Sequence, residues 1–304
     1  MPNTSLRANL RALPRSLWLL FAGTFINRCG MFVLPFLVIY LTRQGYSAAQ
    51  SGVAVSAYGA GHLIASMLGG HLADRLGRRH TIAFSMFVSS VAMIALSQAR
   101  AYSAILVLTL IAGAAAEMYR PAASALIGDL VPQEQRVIAF AVLRFAMNLG
   151  FAAGPAMAGL LAGRSFLLLF LGDAATSLLF GIVALAALPH GVRSRAKDEQ
   201  ASGAIRHALT NEPFLLFLLA TLCITWIEYQ IHTTFPLYLQ ASGYSAQTFG
   251  FLISLNGVLI VLFELAITAW VQRLPTQPVI ALGYALFAAG YALIGFAHSI
   301  PAHT

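Results

Sequence analysis

The sequence predicts an all-α membrane protein that crosses the bilayer many times, and three observations support this prediction. Hydrophobic residues make up 59% of the 304 residues and charged residues only 9%, whereas soluble domains average about 45–50% and about 25%. The mean hydropathy is +0.78. The apolar residues are gathered into runs of the length that a membrane-spanning helix needs, about 20 residues. A soluble enzyme, a disordered chain and a disulfide-linked secreted scaffold are therefore excluded.

Nine apolar runs follow one another along the chain. Their predicted bounds are 17–42, 48–72, 80–98, 102–124, 137–162, 166–188, 214–240, 247–271 and 278–297. The longest polar stretch, 189–213, separates six spans from three. We therefore predict an N-terminal six-helix bundle over 1–188, a cytoplasmic linker over 189–213 and a partial C-terminal bundle of three helices over 214–304.

The positions of Lys and Arg predict the orientation of the chain. Twelve of the eighteen fall on the side of the N-terminus: Arg7, Arg11, Arg15, Arg75, Arg78, Arg79, Arg136, Arg193, Arg195, Lys197, Arg206 and Arg273. Only Arg43, Arg100 and Arg164 fall on the other side. Basic loops remain in the cytoplasm, so we expect a cytoplasmic N-terminus. The same pattern accounts for the net charge of +8 without a nucleic-acid partner.

An internal repeat relates the two blocks of spans. Residues 40–48 recur at 238–246, each with a Tyr-Leu pair followed by Gly-Tyr-Ser-Ala, at a constant offset of 198. Six spans separate the copies, so both begin on the same side and the repeat is parallel. At this offset the second copy has three of its six spans. We therefore expect a truncated product or a fragment, with a genuine nine-span protein as the alternative.

A charged loop after the second span carries the first family signature. Residues 69–79 are GGHLADRLGRR, and from Gly70 they match the major facilitator signature G-x-L-A-D-R-x-G-R-[RK] without a gap. This resemblance implies a major facilitator fold with a complete six-helix N-terminal half and an incomplete, three-helix C-terminal half. The predicted conformational-gate residues are Gly70, Asp74, Arg75, Gly77, Arg78 and Arg79, with Asp129 and Arg136 after the fourth span.

The gate prediction depends on the acid in this loop. Asp74 can pair with Arg75 or Arg78, and such a pair can hold one conformation and release in another. Plain cytoplasmic anchoring by the arginines is the alternative, and for Asp129 and Arg136 it is a solvated loop.

The fifth span contains a stripe of small residues, GFAAGPAMAG over 150–159. It resembles the antiporter motif of drug/proton exchangers, which implies roles for Gly150, Gly154, Pro155 and Gly159. Small residues let helices approach closely, and Pro155 permits a bend. Ala158 and Gly159 replace the paired glycines of the family, so a general packing stripe is the alternative.

Charged residues inside the spans are the candidate cavity and coupling groups, because each costs about 2.5–3.5 kcal/mol at mid-bilayer. The main candidates are Arg28, Glu117, Arg120, Arg144 and Glu228, and the weaker ones are Asp173 and Glu264. Glu117 and Arg120 are three residues apart and can neutralise each other. Arg28 and Glu228 lie near equivalent points of the repeat, in spans that face the central cavity in the family. We expect Glu228 to carry a proton there; a structural role is the alternative.

The resemblance implies a secondary transporter, and the drug/proton branch implies proton-coupled export of small, often hydrophobic molecules by alternating access. A sugar or metabolite transporter and a truncated, non-transporting membrane protein are the alternatives. The chain has no G-x-x-x-x-G-K-[ST] loop, so we expect a proton gradient as energy source and neither ATP nor a cofactor. We predict no enzyme and no metal site.

We expect a multi-pass protein of the bacterial inner membrane, in contact with lipid, that is a monomer when full length.

Overall fold

The computed structural model describes residues 10–191, 210–271 and 274–296, and every regular element in these residues is a helix. The helices are α1 (Arg15–Arg43), α2 (Ala48–Leu76), α3 (Arg78–Gln98), α4 (Tyr102–Leu130), α5 (Gln133–Ala162), α6 (Phe166–Ala187), α7 (Glu212–Ala241), α8 (Ala246–Val271) and α9 (Thr276–Phe296). The first and seventh helices are interrupted. A break at residues 30–32 divides α1, and a 3₁₀ turn, Tyr229–His232, divides α7.

The described residues confirm an all-helical membrane protein. Seven helices, α1 and α3 to α8, are long and apolar enough to cross a membrane, and α2 is an eighth if its 45° bend between Ser66 and Leu68 lies within one span. In α9 the apolar stretch, Gln277–Leu293, is shorter. The division into six and three spans therefore remains a prediction. Most of the predicted linker, 192–209, lies outside the described residues, as do Arg273 and the end of the chain from 297.

The helices α1 to α6 form one packed bundle, called here the N-half. In it α4 packs against α2 and α3, α1 packs against α5 and α6, and α3 packs against α6. Its ends define two faces of the molecule. We call the end where α2 meets α3 the Arg78 face and the end where α1 meets α2 the Tyr46 face.

Two buried apolar clusters fill the bundle, one toward each face. The cluster toward the Arg78 face draws its buried side chains from residues 13–188 alone among those described. The cluster toward the Tyr46 face also includes Leu239, Phe249 and Ile253 of α7 and α8. The C-terminal helices therefore share a buried core with the N-half only toward the Tyr46 face.

The repeated sequence forms the same turn twice at the Tyr46 face. Gly45 and Gly243 have φ of +92° and +83°, a conformation that glycine adopts without strain. The amide of Tyr46 donates to Leu41 O over 3.1 Å, and that of Tyr244 donates to Leu239 O over 2.9 Å. The repeat-related residues Thr42 and Gln240 also meet, with Thr42 Oγ1 donating to Gln240 Oε1 over 3.3 Å. The internal repeat is thus visible in the backbone as well as in the sequence.

Candidate functional site

The break in α1 sets the position of the first candidate residue, Arg28. The amide of Val33 follows the break and donates to the buried carboxylate of Asp173 on α6 over 3.3 Å. A methyl group on Gly30 would lie 2.0 Å from Thr176 Oγ1. A broken helix inside a membrane must satisfy its free backbone groups within the protein, and Asp173 does so here. Arg28 consequently lies at a fixed point in the last turn of the first segment of α1.

Arg28, Glu117 and Arg120 form an ion-pair triad. Arg28 Nη2 donates to Glu117 Oε1 over 2.8 Å, and Arg120 Nη1 donates to Glu117 Oε2 over 2.8 Å. The side chains of Arg28 and Glu117 are 11% and 10% exposed, whereas that of Arg120 is 51% exposed. The pairing of Glu117 with Arg120 lies within one helix, and Arg28 comes from α1. One carboxylate is therefore held between two guanidinium groups, and the triad has a net charge of +1.

The triad borders two adjoining cavities. The smaller, about 420 Å³, lies between α2 and α4 and is lined by His62, Ser66, Glu117, Arg120, Pro121 and Ser124. The larger, about 680 Å³, lies between α4 and α5. Arg120 and Ser124 line both. The larger cavity runs from the triad to Arg136 at the start of α5, so it extends to the Arg78 face.

The remaining intramembrane candidates lie apart from the triad. Arg144 lines the larger cavity from α5. Glu228 is exposed at the end of the first segment of α7. Within the described part of the chain it makes no ion pair with the triad. The structure thus brings Arg28, Glu117 and Arg120 together and leaves Glu228 at a separate position, directly before the 3₁₀ turn.

Two histidines that were not among the predicted site residues lie where the N-half meets α7. His62 on α2 stacks beside Tyr58 at 4.8 Å between ring centroids, and His232 lies 5.7 Å from Tyr229. His62 and His232 interact electrostatically with each other. Within the described residues, His62 Nε2 and His232 Nδ1 are buried without a hydrogen-bond partner. Neither histidine belongs to a family motif, so the one signal in the sequence is that each is a titratable group inside a predicted span.

The signature loop forms a charged cluster at the Arg78 face. Arg78 is nearly buried; it donates through Nη1 to Asp74 Oδ1 and through Nε to Asp129 Oδ2 over 3.3 Å. Arg79 Nη2 lies 2.9 Å from His190 Nε2, and the amide of Arg78 donates to His190 O. Of the two partners considered for Asp74, the structure selects Arg78. The cluster joins the α2–α3 loop to the ends of α4 and α6.

Other residues of the predicted gate have different surroundings. Arg75 is exposed, and Arg136 donates to Gly128 O over 2.8 Å instead of joining the acids. A methyl group on Gly70 would meet nothing within 4 Å, whereas one on Gly69 would lie 2.8 Å from Met118 O. Of these two glycines, Gly69 is therefore the one at which α2 closely approaches α4. Gly77 has φ of +90°, which makes it the residue that turns the chain from α2 into α3.

The small-residue motif of α5 packs against two helices at once. A methyl group on Gly150 would lie 2.7 Å from Arg28 Cβ, and one on Gly154 would lie 2.8 Å from Cys29 O. These two glycines thus allow α1 to approach α5 at the triad. Small side chains at such positions are what close helix packing in membranes requires.

The opposite face of the same motif packs against α8. A methyl group on Gly159 would lie 3.1 Å from Gln247 Cα, and one on Gly250 would lie 2.3 Å from Pro155 O. The amide of Ala156 donates to Ser254 Oγ over 2.7 Å. The motif therefore links the backbone that positions Arg28 to the contact between the N-half and α8.

Comparisons with known proteins agree with this architecture. The sequence profile of the Major Facilitator Superfamily matches residues 20–303. The chain is 25% identical over 293 residues to the uncharacterized MFS-type transporter YqjV of Bacillus subtilis strain 168, covering 93% of this chain and 72% of that protein. It is 24% identical over 254 residues to the quinolone resistance protein NorA of Staphylococcus aureus strain Mu50, covering 83% and 66%.

Solved structures show the same fold at lower identity. A D-xylose-proton symporter superposes with a TM-score of 0.66 at 19% identity, covering 92% of this chain and 75% of that one. A bacterial homologue of the human lysosomal transporter Spinster, in an inward-facing and unoccupied conformation, superposes with a TM-score of 0.67 at 15% identity, covering 86% and 63%. These likenesses extend over most of the described helices.

Proposed function

Because the chain belongs to the major facilitator superfamily, we propose that it exports small, often hydrophobic molecules in exchange for protons, as a multidrug-type efflux transporter. Membership of this family makes it a multi-pass membrane transporter and not an enzyme. The finer proposal places it in a bacterial inner membrane with a cytoplasmic N-terminus, acting as a monomer. Its relative NorA is named for quinolone resistance, which supports the efflux part of the proposal.

One structural observation carries the proposal. Among the described residues, the C-terminal helices share a buried core with the N-half toward the Tyr46 face alone, while the cavity beside the triad extends to the Arg78 face. Two halves that share a core toward one face only correspond to one of the two states that alternating access requires. If the Arg78 face is cytoplasmic, this state receives substrate from inside the cell.

The reverse state requires the contacts at the Tyr46 face to separate. Those contacts include the close approach of α5 and α8 at Gly159 and Gly250 and the hydrogen bond between Thr42 and Gln240. Small residues give a smooth surface on which two helices can separate and return without displacing large side chains. At the other face, the ion pairs of Arg78 with Asp74 and Asp129 are available to rearrange.

Proton coupling is assigned to Glu228 in this proposal. The residue lies directly before the 3₁₀ turn of α7, where a change in charge can act on the helix break. It is exposed, so protons can reach it. Glu212, the first residue of the same helix, is also exposed. It provides a matched control because it lies far from the 3₁₀ turn.

Reconstitution into liposomes tests the proposal. We expect a pH gradient to drive flux of at least one fluorescent organic dye, and nigericin with potassium, which collapses the gradient, to abolish that flux. Glu228→Gln should uncouple dye flux from proton flux, whereas Glu212→Gln should leave both unchanged. Dye flux that ignores the pH gradient, or gradient-driven uptake of xylose without any dye flux, would contradict the proposal.

A further inference from the structure

We propose that the cavity beside Arg120 binds small amphipathic organic anions, with the carboxylate or sulfonate group of the ligand on the Arg120 guanidinium. This proposal rests on the transport function proposed above, and it names the chemical class of substrate for the same cavity. Three features of the cavity support it: the net positive charge of the triad, the exposure of the Arg120 side chain and the apolar side chains of α5 in the cavity wall.

The charge balance leaves Arg120 with capacity for a second acid. Both oxygens of Glu117 already accept hydrogen bonds, one from Arg28 and one from Arg120. A guanidinium carries five N–H donors, and only Nη1 of Arg120 is used in this contact. The Arg120 side chain is 51% exposed and lines both cavities, so its other donors are accessible to a ligand.

The larger cavity contains no acid to offset its arginines. Arg120, Arg136 and Arg144 line it, and no Asp or Glu is among its described lining residues. Arg136 donates to a neutral carbonyl, Gly128 O, which leaves its charge in place. The triad, through Arg120, adds a net charge of +1. Positive charge within a membrane-spanning segment is costly, and an anionic ligand reduces that cost. A cationic ligand would increase it.

The rest of the wall fits an apolar ligand body. Val137, Phe140, Leu143 and Met147 line the cavity from α5, opposite Tyr119 on α4. A volume of about 680 Å³ lies within the range of about 300–1,000 Å³ that is usual for small-molecule sites. A sugar would need many neutral hydrogen-bonding groups, which this wall does not offer. The arginine at one end and the apolar side chains beyond it favour an amphipathic acid.

Two dyes of the same ring system test the sign of the charge. Fluorescein is an anion and rhodamine 123 is a cation, and both share the xanthene skeleton. Binding is measured by fluorescence polarisation with the protein in phosphatidylcholine nanodiscs, where no gradient is needed. We expect fluorescein to bind and rhodamine 123 to bind at least tenfold more weakly, a difference of about 1.4 kcal/mol.

Matched variants test the role of Arg120. Arg120→Gln should weaken fluorescein binding about tenfold to a hundredfold, the range expected for a hydrogen-bonded charge. Arg120→Lys should retain most of the affinity because the charge remains. Arg164 is exposed in the loop at the Tyr46 face, and Arg164→Gln should have no effect. As a second route that keeps Arg120, Ser124→Asp adds a carboxylate to both cavities and should weaken binding at least tenfold more than Ser124→Asn, which has nearly the same size without the charge.

The outcomes separate this inference from the transport proposal. Tighter binding of rhodamine 123, no binding of either dye, or equal effects of Arg120→Gln and Arg164→Gln would overturn the anion site. Loss of fluorescein binding in nanodiscs that contain phosphatidylglycerol would overturn it as well, because a lipid headgroup would then be the ligand. Specific fluorescein binding without gradient-driven flux of any dye would support the anion site and contradict proton-coupled export. Gradient-driven flux of rhodamine 123 without flux of fluorescein would support proton-coupled export and contradict the anion site.

Discussion

The breaks in α1 and α7 occur at equivalent points of the repeat, yet their surroundings differ. At the offset of 198, Arg28 corresponds to Trp226 and Gly30 corresponds to Glu228. In α1 the charged residue is held by Glu117 and the free backbone by Asp173, both nearly buried. In α7 the acid is exposed, and the turn that follows it contains His232. One break is a fixed, charged structure and the other carries an accessible titratable group.

This difference is the basis for proposing different roles for the two halves. A repeat reproduces the backbone, because the same turns and breaks recur from the same sequence pattern. The side chains at the break then determine what each half does. In the N-half they form a positively charged surface, where we propose that the ligand binds. In α7 they place an exposed acid directly before the 3₁₀ turn, and we propose that this acid carries the proton. Four substitutions test this contrast, from the largest expected effect to the smallest.

Glu117→Ala should have the largest effect, because it leaves Arg28 buried without its partner. Removing one member of a buried ion pair costs about 3–5 kcal/mol of unfolding free energy. The expected result is a large fall in the thermal unfolding midpoint in detergent, together with loss of ligand binding. Glu212→Ala removes an exposed acid and serves as the control. Equal midpoints for the two variants would contradict the fixed character of the α1 break.

Asp173→Ala tests the same break through its backbone. The substitution removes the buried acceptor of the Val33 amide and leaves that donor unsatisfied, which should destabilise the protein by about 1–3 kcal/mol. Hydrogen exchange at the amides of residues 30–33 should accelerate, and exchange in α7 should stay constant. Faster exchange in both helices would indicate a general loss of stability rather than a role at the α1 break.

Gly150→Ala tests whether α5 fixes the position of Arg28. The added methyl group would lie 2.7 Å from Arg28 Cβ, so α1 or α5 must move, at a cost of about 1–3 kcal/mol. Ligand affinity should fall with stability because the triad shifts. Gly52→Ala in α2 adds a methyl group with nothing within 4 Å, and we expect it to be neutral. Because Ala favours helix more than Gly does, a similar loss from both variants would point to a general sensitivity to substitution instead of packing at the triad.

Glu228→Gln should have the smallest effect on stability, within about 0.5 kcal/mol, as for other exposed substitutions. Its effect should appear in transport, where dye flux loses its dependence on the pH gradient. Thermal unfolding and gradient-driven flux, measured on the same preparation, separate an effect on stability from an effect on coupling. A strong loss of stability with normal coupling would show that the α7 break is structural, like that of α1.

Much of the fold could be predicted from the sequence because it depends on composition and spacing. The apolar runs predicted the helices, and the recurrence of residues 40–48 at 238–246 predicted two equivalent segments, which the structure shows as two equal turns. The breaks at Gly30 and Tyr229 were not predicted, because the predicted spans 17–42 and 214–240 run through them on the strength of the apolar residues at either side. Their cause is tertiary, as the packing of Gly30 on Thr176 and the hydrogen bond to Asp173 illustrate.

The candidate site was predictable residue by residue but not as an arrangement. Arg28 and Glu117 could be chosen because charges in spans are costly, yet they are 89 residues apart and no local pattern pairs them. The pairing of Glu117 with Arg120 was predictable because both lie on one helix. The preference for Gly69 over Gly70 at the α2–α4 contact depends on the rotation of a helix about its axis, which the motif does not specify.

A reversible cross-link across the Tyr46 face tests alternating access most directly. Thr42 and Gln240 make contact from opposite halves at that face, and cysteines at both positions, with Cys29 and Cys223 replaced by Ser, can be joined by a short bifunctional methanethiosulfonate. A pair within the N-half, at Tyr46 and Arg100, which also make contact, is the control. We predict that the cross-link between Thr42 and Gln240 stops gradient-driven dye flux, that reduction restores it, and that the control pair leaves it unchanged. Undiminished flux through the cross-linked protein would contradict transport by opening of this face.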